Sequence, residues 1–153
     1  MRVRRATDGD LEIIAAAQVA MAQETEALAL DALRVRRGVL AVLSDSAKGL
    51  YYIAELGGEV AGSLLVTYEW SDWRDGNQWW IQSVYVWPAW RRRGVYRALH
   101  EAVVADARAG GAVGVRLYVA TTNTDAMATY EALGMEDAAY RIFELSLLNE
   151  PVK

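Results

Sequence analysis

Apolar positions in the first third of the chain recur at helical spacing. Leu11, Ile14, Ala15 and Val19 share one face of a helix that Thr7 and Asp8 precede and that runs to about Ala22. Leu33, Val35, Val39 and Val42 repeat the period and predict a second helix over Leu30–Leu43. From Leu50 the pattern shortens. Leu50–Leu56 and Val60–Trp70 read as strands, and the Gly57-Gly58 pair between them is a hairpin signal. Asn77–Trp87 predicts a long strand whose apolar end, Val84–Trp87, suits a central place covered on both faces. Val95, Leu99, Ala102 and Val103 place a helix over Val95–Ala109. Val113–Ala120 reads as a strand, Thr122–Leu133 as a helix stopped by Gly134, and Ala139–Leu147 as a final strand. Residues 2–6 alternate weakly, as an edge strand does.

The resulting order is β-α-α-β-β-β-α-β-α-β. Antiparallel strands followed by a βαβ unit predict an α/β fold with one mixed sheet and helices on both faces. No repeat, low-complexity tract or linker interrupts it, so a single domain over residues 1–153 is the expectation.

Composition narrows the function. At 54% apolar and 24% charged residues the chain can build a core. No run of about 18 uncharged apolar residues suggests a membrane span. MRVRRATDGD lacks the apolar stretch of a signal peptide, and a cytoplasmic location is expected. The absence of cysteine excludes disulfides, thiolate metal sites and a cysteine nucleophile. His100, the only histidine, has no companions for a metal site or a Ser/His/Asp set, and no metal is expected. A net charge of −4 argues against a nucleic-acid partner. Two arginine clusters depart from that average: Arg34, Arg36 and Arg37, and Arg91, Arg92, Arg93 and Arg97. A local basic patch on an acidic protein suits a small polyanion.

The second cluster has a built context. An apolar strand ends at Pro88, three arginines follow, Gly94 permits close backbone approach, and a helix starts at once. Backbone N–H groups from about Arg92 to Arg97, including Val95 and Tyr96, then aim at one point with the positive helix end behind them. That is a cradle for a diphosphate, to which an arginine adds a charge-assisted bond.

VYVWPAWRRRGVYRAL resembles the acyl-CoA signature of the GCN5-related N-acetyltransferase (GNAT) family, Gln/Arg-x-x-Gly-x-Gly/Ala. Arg91 and Gly94 match its first two fixed positions; Tyr96 departs from the third. Residues 117–135 resemble the family's later motif, Asn-x-x-Ala-x-x-x-Tyr-x-x-x-Gly-Phe, through Asn123, Ala126, Tyr130 and Gly134, with Met135 in place of Phe. Asn123 and Tyr130 are seven residues apart, about two helical turns, so they share a face. The resemblance implies acetyl-CoA as acetyl donor, Asn123 and Tyr130 beside it, and pairing of its amides with the backbone of Val84 and Val86, with Tyr85 between. A backbone N–H there would also polarise the acetyl carbonyl. Homodimerisation is a further expectation from the family.

Acetyl transfer needs a deprotonated amine, a polarised thioester and a proton for the leaving thiolate. Tyr130 suits the last role, because a phenol donates at neutral pH. The base is open. The strand before the turn, Ile81-Gln82-Ser83-Val84, carries no carboxylate. Glu24 and Glu26, placed between the first two helices, are candidates, as are Glu69 and Asp72 near Trp70; each also reads as a solvated surface carboxylate. All six tryptophans fall between Trp70 and Trp90. Trp70 with Glu69, Asp72 and Glu26 would suit an organic cation; a dimer contact explains the rings equally well. The expectation is an N-acetyltransferase acting on a primary amine of a small molecule. The alternatives are a peptide or protein N-acetyltransferase and a non-catalytic acyl-CoA-binding module.

Overall fold

The computed structural model describes residues 1–147. They divide into two compact units, one ending at Tyr118 and one beginning at Val119. The first is built on a five-stranded sheet in sequence order: β1 (Arg2–Arg5), β2 (Leu50–Leu56), β3 (Glu59–Ser71), β4 (Gly76–Val86) and β5 (Gly114–Arg116). The first four strands pair antiparallel and β5 joins β4 in parallel, so the sheet is mixed, as the element order predicts.

Three helices cover it: α1 (Leu11–Glu26), α2 (Ala32–Ser44) and α3 (Val95–Ala109). Their apolar stripes explain why two lie on one face and one on the other. Ile14 of α1 and Val39 of α2 pack on Ile53 and Leu65. Leu99 and Val103 of α3 pack on Tyr52, Leu64, Val66 and Trp79 across the sheet. The predicted α3 is observed with the same bounds. The helix α1 runs further than its apolar period and stops where Ala27 turns left-handed, at φ 52°. Glu24 and Glu26 therefore sit in its last turn rather than between helices, a correction that fixes where their carboxylates point. Asp31 caps α2 by accepting from the N–H groups of Leu33 and Arg34.

Two expectations fail at the far end of the sequence. The strand predicted over Val113–Ala120 shrinks to Gly114–Arg116. The second unit contains helix α4 (Thr124–Ala132), ended by Gly134 at φ 84°, but no strand forms over residues 139–147. Alternation makes such a segment fit to be a strand, yet a strand exists only by pairing, and the described residues of this unit include no second strand. Phe143 and Leu147 accordingly stand 93% and 90% exposed. Among the described residues, no helix is long and apolar enough to cross a membrane.

Candidate active site

The strand β4, interior to the sheet between β3 and β5, is irregular where the chemistry was expected. Leu65 pairs with Gln82 and Ser63 with Tyr85, so Ser83 and Val84 together stand against Leu64. That two-against-one count is a β-bulge, and Ser83 adopts φ 42° to make it. A left-handed serine inside a strand is strained backbone, a feature concentrated at functional sites. Gly62 fits the bend, since a Cβ there would meet the Tyr85 carbonyl oxygen at 2.8 Å.

Beyond the bulge the sheet opens. β5 pairs with β4 only at Gln78–Trp80, so among the described residues no strand lies beside the flank of β4 from Ile81 to Val86. That free edge offers backbone donors and acceptors to an extended ligand. The strand then leads through the turn at Pro88–Trp90 to the start of α3. Gly94 is the residue before that helix, at φ 77°. The first intrahelical bond runs from the Ala98 N–H to the Gly94 oxygen. The first-turn N–H groups, such as those of Val95 and Arg97, therefore precede the helical ladder, and the N-cap residue supplies no side-chain hydrogen bond. A Cβ on Gly94 would meet nothing within 4 Å, so the backbone at the start of α3 is open beside Gly94. Arg92, Arg93 and Arg97 are exposed around it, with Arg93 stacked 5.2 Å from the Trp90 ring. Arg92 adopts φ 60°, so left-handed residues recur within the turn, as in backbone anion nests. Donors, open backbone beside Gly94 and positive charge fit a diphosphate.

The departure at Tyr96 has a simple outcome. Its side chain packs against the core, with its ring 6.0 Å from the His100 ring. His100 is itself buried, and burial lowers its pKa, so it is a neutral core residue.

Arg91 is differently placed from its neighbours. Its Nε donates to the Val86 carbonyl at 2.9 Å and its Nη2 to Glu24 Oε2 at 2.6 Å. The Tyr85 hydroxyl donates to the other Glu24 oxygen at 2.7 Å, and the guanidinium lies 5.6 Å from the Tyr85 ring centre. The Tyr85 bond and then the Arg91 bond hold the Glu24 carboxyl below its ordinary range. This constellation joins residues 67 positions apart, and no spacing in the sequence signals it. Glu26 is exposed at the end of α1.

The remaining acidic and aromatic candidates gather elsewhere. Glu69 and Trp70 pair with Gln78 and Asn77 at the start of β4, and Asp72 lies in the adjoining turn. The eleven residues of β4 put roughly 30 Å between that hairpin end and Val86. The Glu69 carboxylate accepts from the Trp80 indole N–H and lies 3.6 Å from Arg116, which in turn stacks on Trp80. Trp73 is 94% exposed at the hairpin tip, whereas Trp79 is a core ring packed edge-on to Tyr68.

In the second unit, Asn123 Oδ1 caps α4 by accepting from the Ala126 N–H at 3.2 Å. Tyr130 follows two turns on. Burial pushes its phenol above the ordinary tyrosine value, so the group stays protonated through neutral pH.

The mixed sheet thus opens along β4 toward the start of α3. The sequence matches the acetyltransferase (GNAT) family over residues 12–135, and the chain belongs to that family. A possible acetyltransferase from Clostridium difficile 630 is 39% identical over 97% of this chain and 98% of that one, with a TM-score of 0.89. A predicted acetyltransferase from Clostridium acetobutylicum, solved with acetyl-CoA, is 16% identical over 97% of each chain, with a TM-score of 0.76. AAC(6')-Iy in complex with the bisubstrate analogue CoA-S-monomethyl-acetylneamine is 19% identical over 96% of this chain and 98% of that one, at 0.77. At the two lower identities the likeness is one of fold. No curated protein matches the sequence.

Proposed function

We propose that this protein transfers the acetyl group of acetyl-CoA to a primary amine of a small molecule, by direct transfer in a ternary complex. The observation that carries the reading is the uncapped start of α3 behind Gly94, at the end of a strand whose outer flank is open. The amides of Val95, Tyr96 and Arg97 and the charges of Arg92, Arg93 and Arg97 bind the diphosphate. The backbone of Val84 and Val86 pairs with the amides of the donor's arm, and the bulge at Ser83 frees backbone N–H groups to polarise the thioester carbonyl. The amine nitrogen attacks that carbonyl, the C–S bond breaks, and Tyr130 gives its proton to the departing sulfur. The amine's proton passes to water or to Glu26, the other carboxylate in the last turn of α1. The acetyl-CoA and coenzyme A analogue bound by the structural relatives support the choice of donor.

The test is the thermal midpoint with and without acetyl-CoA. At about 100 times the dissociation constant, binding adds about 2.7 kcal/mol, several degrees for a domain of this size. Amines are then compared by thiol release, which a cysteine-free protein reports without background. No shift at millimolar acetyl-CoA would remove the donor from the reading. We also infer a homodimer. Trp70 and Trp73 in the first unit, and Phe143, Leu145 and Leu147 in the second, are apolar surfaces that a second copy would cover. Sedimentation equilibrium at micromolar protein is expected to give twice the chain mass of 16.9 kDa, and a monomer would refute the inference.

A further inference from the structure

The Val86 carbonyl and the Arg91 guanidinium meet on the open flank of β4. The peptide joining Val86 to Trp87 fixes the direction. Its N–H, on Trp87, donates toward β3, to the Ala61 oxygen at 3.0 Å. The chain has no cis peptide among the described residues, and a trans peptide points its C=O opposite to its N–H. The Val86 carbonyl therefore faces away from β3, into the flank that β5 leaves uncovered beyond Trp80. Arg91 Nε donates to it there. Through Nη2 the same guanidinium grips Glu24, whose second oxygen holds the Tyr85 hydroxyl. One carboxylate in the last turn of α1 thus keeps an arginine across the last carbonyl of the open strand.

We propose that Glu24 is a positioning residue: it holds Arg91 over the Val86 carbonyl as a latch that acetyl-CoA displaces in order to pair along β4. The proposal rests on the acetyl-CoA reading above and assigns Glu24 to cofactor entry rather than to proton abstraction. A ligand amide donating to the Val86 oxygen needs the lane that the guanidinium fills. Two donors on Glu24 keep it ionised, which suits an anchor for Arg91 and makes it a weak base near neutral pH. The pair is about half exposed, at 44% and 41%, and ion pairs in such settings are weak enough to yield. Once displaced, the guanidinium presents N–H donors suited to phosphate oxygens. The latch therefore turns an arginine that blocks the free site into one that serves the occupied site.

Calorimetric titration with acetyl-CoA tests this on wild type, Glu24→Gln and Tyr85→Phe. Glu24→Gln keeps the shape and an oxygen for Tyr85 but drops the charge that holds Arg91. A latched fraction lowers apparent affinity in proportion, so Glu24→Gln is expected to bind about three- to tenfold tighter. Tyr85→Phe loosens Glu24 alone, tightens binding by less, and adds nothing on top of Glu24→Gln. It also serves as the independent variant if Glu24→Gln does not fold. Unchanged or weaker binding by the variants, with wild type binding normally, overturns the latch and leaves the acetyl-CoA reading standing. Absence of binding by wild type at millimolar acetyl-CoA overturns that reading and the latch with it.

Discussion

Gly94→Val is expected to leave the protein folded and to weaken acetyl-CoA binding by about 100-fold, or about 2.7 kcal/mol. Two separate effects produce the loss. Gly94 sits at φ 77°, where a side chain costs about 1–2 kcal/mol and a β-branched one is least tolerated. The strain pulls the backbone from the left-handed region and turns the amides of Val95, Tyr96 and Arg97 away from their common point. The second effect is occupancy. A Cβ at Gly94 has no neighbour within 4 Å, so the isopropyl group fits the free protein, and on the proposed reading it takes room that the diphosphate would use. Gly94→Ala carries the first effect and little of the second, so its loss should be smaller. Titration with acetyl-CoA gives the affinity, and a melt without ligand reports folding. Affinity within threefold of wild type in a folded Gly94→Val would move the diphosphate away from the start of α3.

The parts of this site that the sequence reveals are those made by neighbours along the chain. The turn and helix over residues 91–109 combine a period of apolar positions with a glycine at the boundary, both local signals, and α3 is observed as predicted. Departures come from causes that lie elsewhere in the molecule. AQETE shows no apolar period, yet good helix formers carried α1 on to Glu26 until Ala27 reversed its φ. The run Val84–Trp87 reads as unbroken strand, and nothing in it betrays that Ser83 and Val84 face a single residue of β3. Tyr96 breaks the motif in sequence, and only the fold shows that its ring packs on the core. Residues 139–147 alternate well, but pairing is a property of two segments, and the periodicity describes only one. The bond from Arg91 to Glu24 crosses 67 residues and two elements; only folding brings it into view.

Tyr130→Phe is expected to cut turnover about 100-fold or more while leaving acetyl-CoA affinity within twofold of wild type. The substitution removes one oxygen and keeps the ring, so α4 retains its packing and the Asn123 cap. On the proposed reading the proton donor is lost, and the leaving thiolate then takes its proton from water. The pH profile separates this role from a structural one. Activity should rise with pH as the acceptor amine, with an ordinary pKa near 10.4, loses its proton. It should fall only where Tyr130 ionises, which burial places above 10. In Tyr130→Phe the rising limb remains and the alkaline fall disappears, because the group responsible is gone. A purely structural tyrosine would lower activity at every pH without changing the shape of the curve. Turnover within threefold of wild type would remove Tyr130 from the chemistry and leave solvent as the acid. Wild-type protein that binds acetyl-CoA tightly and releases thiol with no amine would instead be an acyl-CoA-binding module on the same fold.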